Sequence, residues 1–131
     1  MDHSAAKGQS TNAAVDPEQG RVHRKLRISV TDRCALRCSY CVPDEPPQWL
    51  PKTRLLSFEE ITRFVSDAAV PLGLDRVRLT GGEPLQRKGL VDLVHMLHGI
   101  DGLQSLALTT NAERLAPMAD GLLAAGISRL N

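Results

Sequence analysis

All three cysteines of this 131-residue chain lie within eight residues, at Cys34, Cys38 and Cys41. Thiolates are soft ligands suited to iron–sulfur clusters, and three of them can hold three corners of a [4Fe–4S] cube. The fourth iron would then have no protein ligand, and an open coordination position is typical of metal sites that do chemistry. The spacing therefore predicts a [4Fe–4S] cluster with one iron open to a ligand.

Other interpretations of the three cysteines fit their number and spacing less well. A disulfide framework needs an even number of cysteines. A structural zinc site needs a fourth ligand, and the nearest histidine, His23, lies eleven residues before Cys34. The paired CxxC halves typical of zinc sites are not present in the sequence. Zinc or another metal, and no metal at all, stay open as alternatives.

The overall composition is typical of a soluble globular protein. The formal net charge is +1, with 24% charged and 42% hydrophobic residues, so nothing in this balance favours binding to nucleic acid or membrane. No apolar run approaches a membrane span, and the N-terminus lacks the apolar core of a secretory signal. With the cysteines as metal ligands, we expect a cytoplasmic protein.

The N-terminal segment differs in composition from the rest of the chain. It is rich in small polar and charged residues, and after Met1 its only large aliphatic residue is Val15. Such a segment cannot bury enough surface to offset its ordering entropy. We therefore predict a disordered tail over residues 1–21 and a folded region over residues 22–131.

The folded region alternates short extended runs with helical runs. Helices are predicted between the strands, and Ser57 with Glu60 three residues later forms a capping-box pattern at the start of the first helix. Strands alternating with helices indicate parallel βα units and an α/β fold. The predicted strands cover residues 26–31, 76–80, 105–110 and 127–131.

Each of the first three predicted strands has one apolar and one polar face. Arg27, Arg78 and Thr109 lie on the polar faces of the first, second and third strands. A strand covered by helices on both sides would instead be apolar almost throughout. The polar face is either solvated in an open sheet or lines a ligand, and the recurring arginines favour the ligand.

The second strand is followed directly by Gly81, Gly82, Glu83 and Pro84. Glycines at the C-terminal end of a parallel strand let the backbone approach a ligand closely, and ligands of such sheets gather at those ends. Glu83 could accept hydrogen bonds from an ammonium group. A plain loop is the alternative, and the cysteine motif one βα unit upstream favours the ligand site.

The CxxxCxxC spacing after the first strand, with GGEP after the second, resembles the radical S-adenosylmethionine (SAM) enzymes. This resemblance implies that the three cysteines hold a [4Fe–4S] cluster and that SAM binds its fourth iron through amino and carboxylate groups. It also implies that Tyr40, Gly81, Gly82 and Glu83 belong to the SAM-binding site, with Tyr40 next to SAM and Gly82 in contact with it.

A narrower resemblance, over residues 24–131, is to the GTP 3′,8-cyclases of molybdenum cofactor biosynthesis. It rests on motifs in order and at matching spacing, and it implies that Arg27, Arg78 and Thr109 contact GTP. The implied reaction converts GTP to (8S)-3′,8-cyclo-7,8-dihydroguanosine 5′-triphosphate through a 5′-deoxyadenosyl radical derived from SAM. It further implies an electron donor and, for the full-length family, a homodimer. The motifs cover residues 26–34, 56–60, 78–85 and 108–111.

The resemblance also implies the architecture and its incompleteness. The fold would be a truncated, TIM-like (βα) barrel of about three βα units and the start of a fourth strand. The family's barrel continues past Asn131 and carries a second cluster on three further cysteines, so we expect this chain alone to be inactive. Ala112 stands where the family usually has glycine, and we expect it to restrict the backbone. Alternatives are a radical SAM enzyme with another substrate, or a non-catalytic iron–sulfur-binding fragment.

Overall fold

The structure, a computed structural model, describes residues 13–33 and 50–131. These residues form one parallel sheet with its four strands in sequence order, and three helices among them connect successive strands. This arrangement confirms the predicted α/β fold of three βα units and the start of a fourth strand. The strands are β1 (Lys25–Ser29), β2 (Arg76–Thr80), β3 (Ser105–Leu108) and β4 (Arg129–Leu130). The helices are α1 (Phe58–Phe64), α2 (Leu90–His98) and α3 (Leu115–Ala125).

Helix α1 begins at the predicted capping box. The Ser57 hydroxyl accepts a hydrogen bond of 3.0 Å from the Glu60 amide, and the Glu60 carboxylate accepts one of 2.8 Å from the Ser57 amide. The helix then continues through a π-helical turn over Val65–Ala69, which the sequence pattern did not predict. In the described part of the chain, no helix has the length and apolar character needed to cross a membrane.

The register of the sheet places equivalent positions of neighbouring strands side by side. Arg27 pairs with Arg78, and Ala107 pairs with Arg129. The strands β1 and β2 are also joined at their N-terminal ends, where the Arg24 guanidinium donates to the Asp75 carboxylate at 2.8 Å. Alternate residues of all four strands therefore share one face, as the alternation in the sequence predicts.

The apolar face of the sheet packs against the helices and forms the core. Strand β1 contributes less than β2 and β3, since Leu26 and Ile28 are only partly buried at this edge of the sheet. One departure from the predicted pattern is Ala107, which lies on the polar face and is nevertheless buried. The core includes Val30, Ile61, Val65, Val77, Leu79, Leu93, Leu97, Leu106, Leu108 and Leu122.

Part of the predicted tail forms hydrogen bonds in the structure. Val15 and Val22 form an antiparallel bridge around a turn in which the Asp16 carboxylate accepts from two backbone amides. The Ala14 amide donates to the Leu72 carbonyl at 3.1 Å. Residues 1–12 lie outside the described part of the chain, and the boundary at residue 22 stays a prediction.

Candidate functional site

The segment leading into the cysteines pairs with the glycine motif after β2. The Gly82 amide donates to the Thr31 carbonyl at 2.8 Å, and the Glu83 amide donates to the Arg33 carbonyl at 2.7 Å. Because Arg33 directly precedes Cys34, the first cysteine is covalently attached to a residue fixed against this motif. The structure thus brings the predicted glycine motif to the start of the cysteine motif.

The two glycines allow this close approach because they have no side chain. A Cβ atom on Gly82 would overlap the backbone of Arg33, and one on Gly81 would lie 2.5 Å from the Thr31 carbonyl oxygen. Gly81 also has a φ of +153°, which other residues rarely adopt. Both glycines are exposed at the C-terminal end of β2. Their backbone therefore remains accessible to a ligand.

The predicted cluster ligands Cys34, Cys38 and Cys41, and the predicted SAM contact Tyr40, lie outside the described residues. The ends of the segment that contains them are described, and we call residues 34–49 the cysteine segment. The Asp32 carboxylate accepts a hydrogen bond of 2.6 Å from the Leu50 amide. This contact joins the residues on either side of the cysteine segment.

Glu83 has a different environment from the one expected of a ligand-binding carboxylate. Its side chain is 1% exposed and caps the short turn Pro84–Gln86 by accepting from the Leu85 amide at 2.8 Å. It also accepts from the Thr110 hydroxyl and, at 2.8 Å, from the Asn111 amide. Protein donors therefore satisfy this carboxylate, which positions the loops after β2 and β3.

The loop after β3 contains a residue in an unfavourable backbone conformation. Ala112 has a φ of +67°, in the left-handed region that favours glycine. Its amide donates to the Thr110 hydroxyl oxygen at 3.1 Å. The expectation that Ala112 restricts the backbone therefore has a specific basis, because this position needs the conformation that alanine disfavours.

The three predicted substrate contacts lie together on the polar face. Arg27 and Arg78 are neighbours in register, and the Arg78 guanidinium donates to the Thr109 hydroxyl at 3.1 Å. With the Asn131 amide turned so that its oxygen faces Arg78, this oxygen also accepts from Nη2 at 2.9 Å. These hydrogen bonds connect Arg78 of β2 with the residues directly after β3 and β4.

A groove of about 380 Å³ runs along this polar face. Among the described residues, no acidic side chain lines this groove. Five cationic residues do: Lys25, Arg27, Arg76, Arg78 and Arg129. Converging positive charges favour a ligand that carries several negative charges, and arginine pairs bidentately with phosphate oxygens. The groove is therefore suited to a polyphosphate.

Three of these cations were not predicted as site residues from the sequence: Lys25, Arg76 and Arg129. Lys25 and Arg76 each lie two residues before a predicted contact on the same strand, so the alternation that identified Arg27 and Arg78 also indicates them. Arg129 could be placed only from the register of β4 with Ala107. The described residues contain no group of three His, Cys, Asp or Glu side chains that could hold a metal ion.

A family model described as the radical SAM superfamily matches residues 28–131, which include the end of β1, the other three strands, the cysteine motif and the glycine motif. The chain belongs to the radical SAM superfamily. The predicted superfamily and fold are thus confirmed. Radical SAM proteins use SAM together with a [4Fe–4S] cluster. The individual site residues of this radical SAM chain stay predictions.

Among curated proteins, the radical SAM chain is similar to several named GTP 3′,8-cyclase. That of Rhodopirellula baltica is 48% identical over 112 residues, which are 86% of this chain and 31% of the relative. That of Ectopseudomonas mendocina is 51% identical over 121 residues, which are 92% of this chain and 36% of the relative. That of Streptomyces coelicolor is 48% identical over 112 residues. The chain spans about a third of the length of these relatives.

Proposed function

We propose that the chain is part of a GTP 3′,8-cyclase, which converts GTP to (8S)-3′,8-cyclo-7,8-dihydroguanosine 5′-triphosphate in molybdenum cofactor biosynthesis. The observation that carries this proposal is the groove in which Arg27 and Arg78 are neighbours and Arg78 is bonded to Thr109. The same three residues are the GTP contacts that the resemblance to GTP 3′,8-cyclases implies. The similarity to curated GTP 3′,8-cyclases supports the same substrate.

The three cysteine thiolates and the exposed backbone of the glycine motif fit a cluster with bound SAM. Cys34, Cys38 and Cys41 would hold three irons, because thiolates are the usual ligands of such clusters. Gly82 would contact the SAM amino group through its carbonyl, since its amide already donates to Thr31. Tyr40 would adjoin SAM. When bound, the cluster and SAM supply the radical chemistry, and an electron donor in the cytoplasm would supply the electron.

The remaining residues would bind and align the substrate. Arg27 and Arg78 would bind the triphosphate, and Thr109 would hold the Arg78 guanidinium in place. Glu83 would act through the loops that it joins, because its own oxygens already accept from Leu85, Thr110 and Asn111. Such alignment brings the ribose to a fixed distance from the reacting group, which lowers the entropic part of the barrier.

The test is made in a chimera in which residues 22–131 replace the matching part of the Rhodopirellula baltica cyclase. Arg27→Ala and Arg78→Ala should each weaken GTP binding by about 10- to 100-fold, the loss typical of one or more charged hydrogen bonds. Arg63→Ala removes an exposed arginine in the last turn of α1 and should leave GTP affinity unchanged. Calorimetry under anaerobic conditions gives the affinities, and iron content shows that the cluster is intact.

Two results would redirect the assignment. Equal GTP affinity in the unmodified chimera and in its Arg27→Ala and Arg78→Ala variants would show that these arginines are structural. This result would favour another substrate. A chimera that binds its cluster and GTP but never forms cyclised product, while the parent cyclase does, would favour the non-catalytic alternative.

A further inference from the structure

Arg87 connects three parts of the fold through one guanidinium group. Its Nη1 donates to the Val30 carbonyl at 3.0 Å, and its Nη2 donates to the Leu56 carbonyl at 2.7 Å. The guanidinium carbon lies 4.4 Å from the centre of the Phe58 ring, which is a cation–π contact. Arg87 itself lies immediately after the turn Pro84–Gln86 that follows the glycine motif.

The two accepting carbonyls lie on opposite sides of the cysteine segment. Val30 precedes it directly after β1, and Leu56 follows it just before α1. The contact between Asp32 and the Leu50 amide joins the same two parts of the chain closer to the cysteines. Two separate contacts thus hold together the segments that enter and leave residues 34–49.

We propose that Arg87 is a positioning residue that fixes both ends of the cysteine segment against the glycine motif. The part of this inference that concerns the cluster rests on the proposed function. The planar guanidinium presents two donors at once, and a lysine ammonium on a flexible stem does not reproduce this geometry. Burial lowers the pKa of the Arg87 guanidinium from its usual value, and arginine nevertheless remains protonated at neutral pH.

Arg87 would bring the two ends of the cysteine segment together before iron binds. Bringing the ends of a 16-residue segment together costs conformational entropy. Each contact between these ends reduces the entropic cost that remains when the cluster assembles. The hydrogen bonds from Gly82 to Thr31 and from Glu83 to Arg33 depend on the same end of β1. Loss of Arg87 should therefore loosen this pairing while the helical core remains intact.

The experiment measures amide hydrogen exchange by NMR in the metal-free chain and its variants. Arg87→Met and Arg87→Lys should speed exchange of the Gly82, Glu83 and Leu50 amides at least tenfold, relative to amides in the middle of α2. That size corresponds to the loss of about one charged hydrogen bond. Lys88→Met, which alters the adjacent exposed cation, should leave these rates unchanged.

Each outcome decides the inference. Unchanged exchange at these amides in Arg87→Met overturns it. If every amide of Arg87→Met exchanges faster, the variant is unfolded and Arg87→Lys becomes the test. Exchange rates of the Gly82, Glu83 and Leu50 amides in Arg87→Lys that equal those of the parent would then overturn the proposal. In a second arm, iron retained against a chelator should fall at least tenfold in Arg87→Lys. A parent chain that binds no iron contradicts the proposed function and leaves the exchange result on Arg87 valid.

Discussion

The Thr110 hydroxyl lies 2.9 and 2.8 Å from the two carboxylate oxygens of Glu83 and joins the loops after β2 and β3. Both loops lie at the C-terminal ends of their strands, where ligands of parallel sheets bind. A third hydrogen bond, from the Asn111 amide, completes this connection. A buried carboxylate thus sets the spacing between the glycine motif and the loop after β3.

Thr110→Val should destabilise the chain by about 1.5–3 kcal/mol, because it removes a hydrogen bond to a buried charge. Thr62→Val is the matched control, since its hydroxyl donates to a backbone carbonyl within α1 and is partly exposed. The control should change the free energy of unfolding much less. Denaturant unfolding of both variants gives the comparison, and equal losses would contradict the role assigned to Glu83.

Ala112→Gly should stabilise the chain by about 1 kcal/mol, because glycine adopts a positive φ without the steric cost that alanine bears. Ala124→Gly, on the exposed surface of α3, should act in the opposite direction by about 0.5–1 kcal/mol. Thermal unfolding measures both changes. A destabilised Ala112→Gly variant would show that the backbone at this position is not strained.

Gly82→Ala should destabilise the chain by about 1–3 kcal/mol and reduce iron binding, because the added Cβ overlaps the Arg33 backbone and forces it away. Gly121→Ala is the control within α3, where an added Cβ lies 3.7 Å from Val91 and makes an ordinary contact. The control should be neutral or stabilising, since alanine favours a helix over glycine. Normal iron content in Gly82→Ala would contradict the close approach.

The capping box at α1 should make stability depend on pH. The hydrogen bond from the Ser57 amide lowers the pKa of Glu60 in the folded chain. The contribution of Glu60 to stability is therefore complete above the pKa that Glu60 has in the unfolded chain. This contribution is lost as the pH falls through the lower pKa of Glu60 in the folded chain. The difference in unfolding free energy between the parent and Glu60→Gln should shrink on acidification. Glu59→Gln, without the Ser57 contact, should not reproduce this trend.

Much of the fold could be predicted because local patterns determine it. The alternation of Arg27 and Arg78 with apolar neighbours assigned the strand faces, and the pair Ser57 and Glu60 located the start of α1. Gly126 ends α3 with a positive φ, as is typical of a glycine directly after a helix. Each of these features depends on residues within a few positions of one another.

The features that sequence patterns did not predict depend on residues far apart in the chain. The sequence indicates only that Glu83 could accept hydrogen bonds from an ammonium group, because its partners Thr110 and Asn111 lie more than 25 residues away along the chain. Arg87 received no role, since Val30 lies 57 residues before it. The fold alone brings such groups together, so only the register of the sheet and the packing of α1 reveal them.

We propose that Cys34, Cys38 and Cys41 hold a [4Fe–4S] cluster with one iron open to SAM. The most direct measurement is anaerobic reconstitution of the chain with iron and sulfide, followed by metal analysis and electron paramagnetic resonance of the reduced sample. We predict about four irons per chain, a spectrum that changes when SAM is added, and loss of both in Cys38→Ala. One tightly bound zinc per chain with no retained iron would contradict the claim.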